Sequence, residues 1–287
     1  MEYLIVFQLL CGMTFLAGVP LNVYVLFVAG YRLKRTVSAV WFWNRAMADF
    51  IFIIFLPLRF IFVFNPSFDF IMRLSSIVTS LHMFSSAFLL TGLSVDRCIL
   101  VACPEWARNH RTLPLAYGVV MGLWALSLGF SLRYGDISDY LVALPSIRRY
   151  FELDKGRVKA TVAMQFLVGF LIPFALILIS TFYIVLAAKL RRKRLIQSTK
   201  PLKILIGLIP TFFLCWLPYY VFFFLQIFDM YPLPYLQIGN TFSCVPTYFS
   251  SCLNPIFYLT MEKEFLKYRQ HARNPQTTDN SGLELDE

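Results

Sequence analysis

The sequence predicts an all-α membrane protein: a bundle of seven transmembrane helices with a short amphipathic cytoplasmic helix after the seventh. Three observations carry that expectation. Of 287 residues, 58% are hydrophobic and 15% charged, and the mean hydropathy is +0.65; a water-soluble domain of this length does not keep so much apolar surface in solution. A helix needs roughly 20 apolar residues to cross the hydrocarbon core of a bilayer. Seven stretches reach that length: 3–30, 39–64, 74–98, 114–134, 159–187, 203–228 and 236–260. Finally, basic residues concentrate in alternate connections, the asymmetry that sets orientation in a membrane.

Span one starts almost at Met1, yet it is long for a cleaved secretory signal, lacks a basic leading region and holds Pro20-Leu21-Asn22 in its core. It is therefore read as a retained helix. The connection after it carries Arg32, Lys34 and Arg35, and the one after span five carries Lys189, Arg191, Arg192, Lys193, Arg194, Lys200 and Lys203. Both are assigned to the cytoplasm. The opposite connections are mixed in sign, with Asp69 and Arg73 before span three and Asp136, Asp139, Arg148, Arg149, Glu152, Asp154, Lys155 and Arg157 before span five. These are assigned to the outside, with the N-terminus. The net charge of +10 then reflects topology and attraction to anionic inner-leaflet lipid, and does not call for nucleic acid. The connections are too short for separate soluble domains, so residues 1–273 read as one seven-helix domain. Residues 274–287 read as a polar, acidic, disordered cytoplasmic tail, with Thr277, Thr278 and Ser281 as candidate phosphorylation sites. No internal or inverted repeat of the transporter kind is visible.

Polar groups inside spans are expensive and so mark function. Asp49 lies near the middle of span two, Asn22 at a similar depth in span one, and Asn254-Pro255-Ile256-Phe257-Tyr258 ends span seven. With Ser86 and Ser250 they build either a hydrated cluster holding a small cation, sodium near Asp49, or a set of interhelical hydrogen bonds worth about 0.6 kcal/mol each. Asp96-Arg97-Cys98 closes span three, where an adjacent acid and base each face a different partner. The histidines, His82, His110 and His271, have no metal-ligand spacing, and no catalytic constellation is present. The chain is not read as an enzyme, and no other cofactor is expected.

Taken in order, Asn22, Asp49, Asp96-Arg97-Cys98, Trp124, Pro173, Cys215-Trp216-Leu217-Pro218 and Asn254-Pro255-Ile256-Phe257-Tyr258 fall one set to a span. Over nearly its whole length the chain resembles the rhodopsin-like G-protein-coupled receptors. Pro104-Glu105-Trp106, Asn109-His110-Arg111-Thr112, Lys200-Pro201-Leu202-Lys203 and Phe212-Phe213-Leu214 look like the chemoattractant branch, with its formyl-peptide and chemerin receptors and the second prostaglandin D2 receptor. Ser85-Ser86-Ala87-Phe88-Leu89-Leu90 is most like the last of these. The resemblance implies a plasma-membrane receptor that passes a chemoattractant-type signal to a heterotrimeric G-protein of the inhibitory type, with arrestin as a second partner. It implies a switch in which Arg97, beside Asp96, clamps the closed bundle and then meets the G-protein. Trp216 above Pro218 senses ligand, and Tyr258 swings inward beyond Asn254 and Pro255.

The chain departs from that pattern in several places. The cysteine that normally begins span three is Met72, and the loop from Tyr134 to Val158 holds no partner cysteine, so a bond typically contributing about 2–4 kcal/mol is absent. His82 replaces an asparagine facing the ion site, and Arg45 replaces a leucine one turn before Asp49, where it can neutralise that acid. Pro210 adds a break to span six, and Thr181 stands where a switch tyrosine often stands, with Tyr183 two residues later. Arg59, roughly 15 Å above Asp49 by helical rise, is the expected basic anchor for a lipid carboxylate or a short peptide. Gln165 occupies the span-five position where the branch often has its own base, and His82, Tyr219 and Tyr248 complete the expected ligand site. A short outer tail disfavours a large protein ligand. A non-signalling decoy receptor of the same fold accounts for Arg45, Pro210 and the missing disulfide; a transporter or membrane enzyme accounts for none of the motifs.

Overall fold

A computed structural model describes residues 2–32, 36–58, 69–134, 155–190, 200–227, 239 and 242–261, and none of these is in a strand. Helix α1 (Glu2–Phe27) runs into a π-helical turn, Val28–Arg32. Helix α2 (Val37–Phe55) is capped by Thr36, whose hydroxyl accepts the Ala39 N–H at 3.2 Å. The 34-residue α3 (Asp69–Ala102) is followed by the short α4 (Pro104–His110) and by α5 (Leu113–Tyr134). Next, α6 (Lys155–Phe166), a π-helical turn Leu167–Leu171 and α7 (Ile172–Leu190) run on without a break, and α8 (Lys200–Ile227) and α9 (Val245–Met261) complete the set. Five stretches, Ile5–Tyr31, Val37–Phe55, Arg73–Ala102, Leu113–Arg133 and Lys159–Ala187, are long and apolar enough to cross a membrane. Helices α8 and α9 lie where spans six and seven are expected.

Boundaries shift for physical reasons. Span two is expected to continue to 64; α2 breaks after Phe55, where the Leu56 N–H turns back to the Ile53 carbonyl, Pro57 and Leu58 are again helical, and 59–64 lie outside the described residues. Pro57 follows, and a proline offers no N–H to continue the ladder. The third helix is longer than the expected stretch at both ends: it takes in the polar Asp69 and Arg73 before it and runs on past Asp96 and Arg97 through the apolar Ile99–Ala102. Residues 59–68, 135–154 and 191–199, the expected helix after span seven and the tail lie outside the described residues.

The long third helix is the centre of the bundle, packing on α2, α5, α7 and α8, while α1 packs on α2 and α9. Small residues set these approaches. A Cβ at Gly92 of α3 would meet the Trp41 ring of α2 at 2.6 Å and Leu123 of α5 at 3.1 Å. One at Gly169 would meet the Tyr220 hydroxyl of α8 at 2.9 Å. Gly169 lies in the π-helical turn, where the Ile172 N–H reaches the Leu167 carbonyl, five residues back. Pro173 explains that turn. It has no hydrogen for the carbonyl of Gly169, and its ring would crowd it, so the backbone widens by one residue just before the proline.

Gly18 of α1 gives the fold a direct test. A Cβ there would overlap Ile53 of α2 and meet Cys252 of α9 at 3.0 Å, whereas Gly12 of the same helix has nothing within 4 Å. Gly18→Val is expected to lower the thermal unfolding midpoint in detergent by an amount equivalent to ~1–3 kcal/mol of overpacking, with Gly12→Val close to the parent. Equal midpoints for the two variants would mean that α1 does not approach α2 and α9 this closely.

Candidate switch and ligand site

Asp49 of α2 is fully buried. Its Oδ1 lies 2.9 Å from His82 Nε2 of α3, and its Oδ2 accepts from Asn254 Nδ2 of α9 at 2.9 Å. Arg45, one turn earlier, brings its Nε to 3.9 Å of Oδ2. Because a carboxylate only accepts, the imidazole hydrogen sits on Nε2, which also lies 3.2 Å from Ser251 Oγ of α9. Three helices thus meet on one acid.

The neighbouring knot is a consequence of proline chemistry. Pro255 cannot donate to the carbonyl four residues before it, that of Ser251. Asn22 of α1 supplies the missing hydrogen: its Nδ2 donates to Ser251 O at 3.0 Å and to Gly18 O at 3.0 Å. The sequence groups Asn22, Asp49, Asn254, Ser86 and Ser250. The bonds instead run through Ser251 and His82, since Ser250 turns its hydroxyl to the Thr247 carbonyl of its own helix, 2.7 Å away. Ser86 is buried with no partner for its Oγ among the described residues.

These residues do not fit a sodium ion. A hard cation wants a shell of oxygens, whereas both oxygens of Asp49 already face nitrogen donors and a guanidinium stands at 3.9 Å. The positive partner of the acid is part of the chain.

Above this layer His82 stacks on Phe52, with ring centroids 4.1 Å apart and planes at 2°, and Trp216 lies beside it at 5.7 Å. The sequence puts His82 in the ligand site; its ring is held by the stacking on Phe52 and by the Asp49 bond. Trp216, fully buried, touches Phe212 and, edge to face at 5.7 Å, Tyr219. Tyr219 leads on to Tyr220, whose hydroxyl donates to Met83 Sδ at 2.8 Å and reaches the Gln165 carbonyl at 3.4 Å. Tyr248 packs on Phe52 at 5.5 Å and on Phe7 of α1 at 6.3 Å. Tyr219 and Tyr248 therefore join Trp216 and Phe52 ring to ring, and Gln165 is joined to them through Tyr220. Arg59 lies outside the described residues. Tyr183 is 42% exposed on the outer face of α7, so it does not stand in for the switch tyrosine that Thr181 replaces.

At the other end of α3 the adjacent acid and base take different hydrogen-bond partners. Asp96 accepts two bonds from Arg111, just after α4: Nε to Oδ1 at 2.8 Å and Nη2 to Oδ2 at 2.9 Å. This is the bidentate fork that only arginine makes. Arg97 is buried and donates from Nη2 to Ser38 Oγ of α2 at 3.2 Å, while its guanidinium carbon lies 5.8 Å from the Phe42 ring centroid. Its Nε stands 4.0 Å from Asp96 Oδ2, an electrostatic contact too long for a hydrogen bond. Tyr258 packs on the Phe42 ring at 5.2 Å. Sequence alone assigns no role to Arg111 or Ser38, and Asn44 only stands near Asp49 in it, yet Asn44 Oδ1 accepts from Trp124 Nε1 at 3.1 Å. A basic residue 15 positions after Asp96 and past a helix-starting proline is a signal, but only the fold of α4 brings it back.

With this geometry in hand, comparison with known proteins is decisive. The family profile described as 7 transmembrane receptor (rhodopsin family) matches residues 21–258. This chain belongs to the rhodopsin family of seven-transmembrane receptors. Among similar members, chemerin-like receptor 1 of Rattus norvegicus is 34% identical, with 92% of this chain and 76% of that protein aligned. The Sus scrofa protein of the same name is 32% identical over 92% and 78% of the two chains. N-formyl peptide receptor 3 of Pan troglodytes is 33% identical over 91% and 81%. As a rhodopsin-family receptor the chain is a seven-helix membrane protein that signals through G-proteins and is not an enzyme. Its α8 and α9 are the sixth and seventh spans.

The bond between Asn22 and Ser251 is testable through its cause. Asn22→Leu leaves a buried carbonyl without a donor and is expected to cost ~1–3 kcal/mol. In a Pro255→Ala background the restored backbone N–H at position 255 takes that carbonyl, and the same Asn22→Leu change is expected to cost less than half as much. A double-mutant cycle on thermal unfolding reads the coupling; strict additivity would break the assignment.

Proposed function

We propose that this receptor recognises a lipid carboxylate or a short peptide in the outer half of its bundle, with an inhibitory G-protein and arrestin as its cytoplasmic partners. In this reading it sits in the plasma membrane with its N-terminus outside. The supporting observation is the unbroken chain of contacts from Tyr219 through Trp216 to His82, Asp49 and Asn254. A ligand pressing on the aromatic floor displaces Trp216. That ring leans on His82, and His82 cannot move without disturbing the carboxylate that holds α9. Tyr258 lies one turn beyond Asn254, against Phe42, which also faces Arg97. The two ends of the bundle are in this way coupled through packed rings and two hydrogen bonds, and a ligand that prefers one arrangement shifts the population toward it. The ligand class rests on the rings at the floor and on similarity to proteins named for chemerin and N-formyl peptides. The pocket works without sodium, since Arg45 and His82 occupy the place of the ion.

Nucleotide exchange on a panel of G-proteins, in membranes containing this chain, tests the reading. Lipid carboxylates or short peptides are expected to stimulate exchange, and Arg97→Ala to reduce the stimulated rate roughly tenfold or more, within the usual span of allosteric coupling. Binding without exchange, in a correctly inserted chain, would instead identify a decoy receptor. Replacing sodium chloride with choline chloride is expected to leave agonist affinity within about twofold, below the usual coupling range. In Arg45→Leu/His82→Asn the same exchange of salts is expected to shift affinity. A clear sodium dependence in the parent would overturn the tethered-cation reading.

A further inference from the structure

A cavity of about 390 Å³ opens on the side of the bundle, between α3, α5 and α7, with Trp41 of α2 at its back. It lies outside the switch described above except at one end, where Asp96, Arg111 and Thr112 line it. The remaining wall is apolar and includes Val95, Trp106, Val119, Leu126 and Leu176. Leu115 and Leu126 mark its two ends on α5, and eleven residues of helix rise span roughly 16 Å. The cavity is thus long and narrow.

Its open side faces hydrocarbon. Leu115, Val119, Leu126 and Leu176 are 43–54% exposed, and such residues on spans of a membrane receptor are covered by lipid. Water has no polar partners in a greasy slot at that depth. Its polar end is different. Arg111 spends Nε and Nη2 on Asp96, which neutralises the acid and leaves Nη1 for an incoming anion. Inner-leaflet lipid is anionic, and guanidinium is a strong phosphate ligand.

We propose that this groove is a binding site for one anionic inner-leaflet phospholipid, with an acyl chain along α5 and its phosphate at Arg111. Placing the head group in the inner leaflet rests on the orientation proposed above, whereas binding itself does not, and detergent solution separates the two. The bound lipid would touch the residue that holds Asp96, and so bear directly on the cytoplasmic end of the switch.

Native mass spectrometry of the full chain in mild detergent, titrated with phosphatidylserine and with phosphatidylcholine of the same chains, tests this. One phosphatidylserine is expected to stay bound at energies that strip phosphatidylcholine. Val119→Trp, which fills the groove, is expected to cut that occupancy at least tenfold, while Met121→Trp, on the same helix outside the groove, leaves it unchanged. Arg111→Gln is expected to abolish the preference between the two head groups. A phosphatidylserine with a photoreactive chain end, used on the parent protein, is expected to label Leu126, Ile172 or Leu176, so the result does not depend on any variant folding. Equal retention of both lipids by the parent, indifference to Val119→Trp, labels scattered around α5, or a receptor dimer closing the groove would each overturn the proposal.

Discussion

Burying a carboxylate with no accessible surface is costly unless donors and an opposite charge meet it there, and Asp49 satisfies that demand from three directions. Its own helix supplies the charge of Arg45, α3 supplies His82 and α9 supplies Asn254. The two donors from other helices each fix a rotation and a height, because a hydrogen bond of 2.9 Å tolerates little sliding. Apolar packing cannot do this in a membrane, where lipid tails compete equally for every apolar face. The acid therefore sets the register of the bundle, and the ring contacts of His82 with Phe52 and Trp216 inherit their positions from it.

Proline supplies the second constraint. A proline inside a helix frees a carbonyl, and a freed carbonyl in a bilayer must be answered. At Pro173 the backbone answers by widening into a π-helical turn, which also carries Gly169 under the Tyr220 hydroxyl. At Pro255 a neighbouring helix answers, through Asn22. The second solution differs in kind, since a bond lent by another helix can be withdrawn when α9 moves, without breaking any helical ladder. An asparagine in α1 and a proline in α9 are in this sense one device.

The spans and their order were legible because lipid imposes a length on apolar helices, and the motifs because polar residues among them stand out. Angular position was not. A helix apolar on all sides shows no stripe to tell core from lipid, so Ser250 and Ser251, about 100° apart on one helix, are indistinguishable in sequence; only Ser251 faces His82. Arg45 was readable because it is one turn from Asp49, a local relation. Arg111 was not, since its pairing with Asp96 depends on the chain turning through α4 and returning. The break in the helical ladder at Leu56 was marked by Pro57, a local signal of the same kind as Arg45.

The two polar layers differ in what holds them, and the difference bears on how they move. Around Asp49 the partners belong to three long helices, so rearrangement there requires whole helices to shift. Around Asp96 the donor is Arg111, at the end of a seven-residue helix, and Arg97 is held by a neutral bond to Ser38, by the face of Phe42 and by a 4.0 Å contact with Asp96. A neutral acceptor holds a guanidinium less firmly than a carboxylate would. Because Arg111 takes both hydrogen bonds of the Asp96 carboxylate, Arg97 is left on its weaker partners, and the layer around Asp96 is the more loosely held of the two. Between the layers stand Phe42 and Tyr258, packed ring to ring at 5.2 Å. Rotation of α9 about the Asn254 bond must carry Tyr258 with it, and once that ring leaves Phe42, the ring that Arg97 rests on loses its own packing partner. Bond strength thus separates the two layers: the one around Asp49 is firmly held and the one around Arg97 is soft.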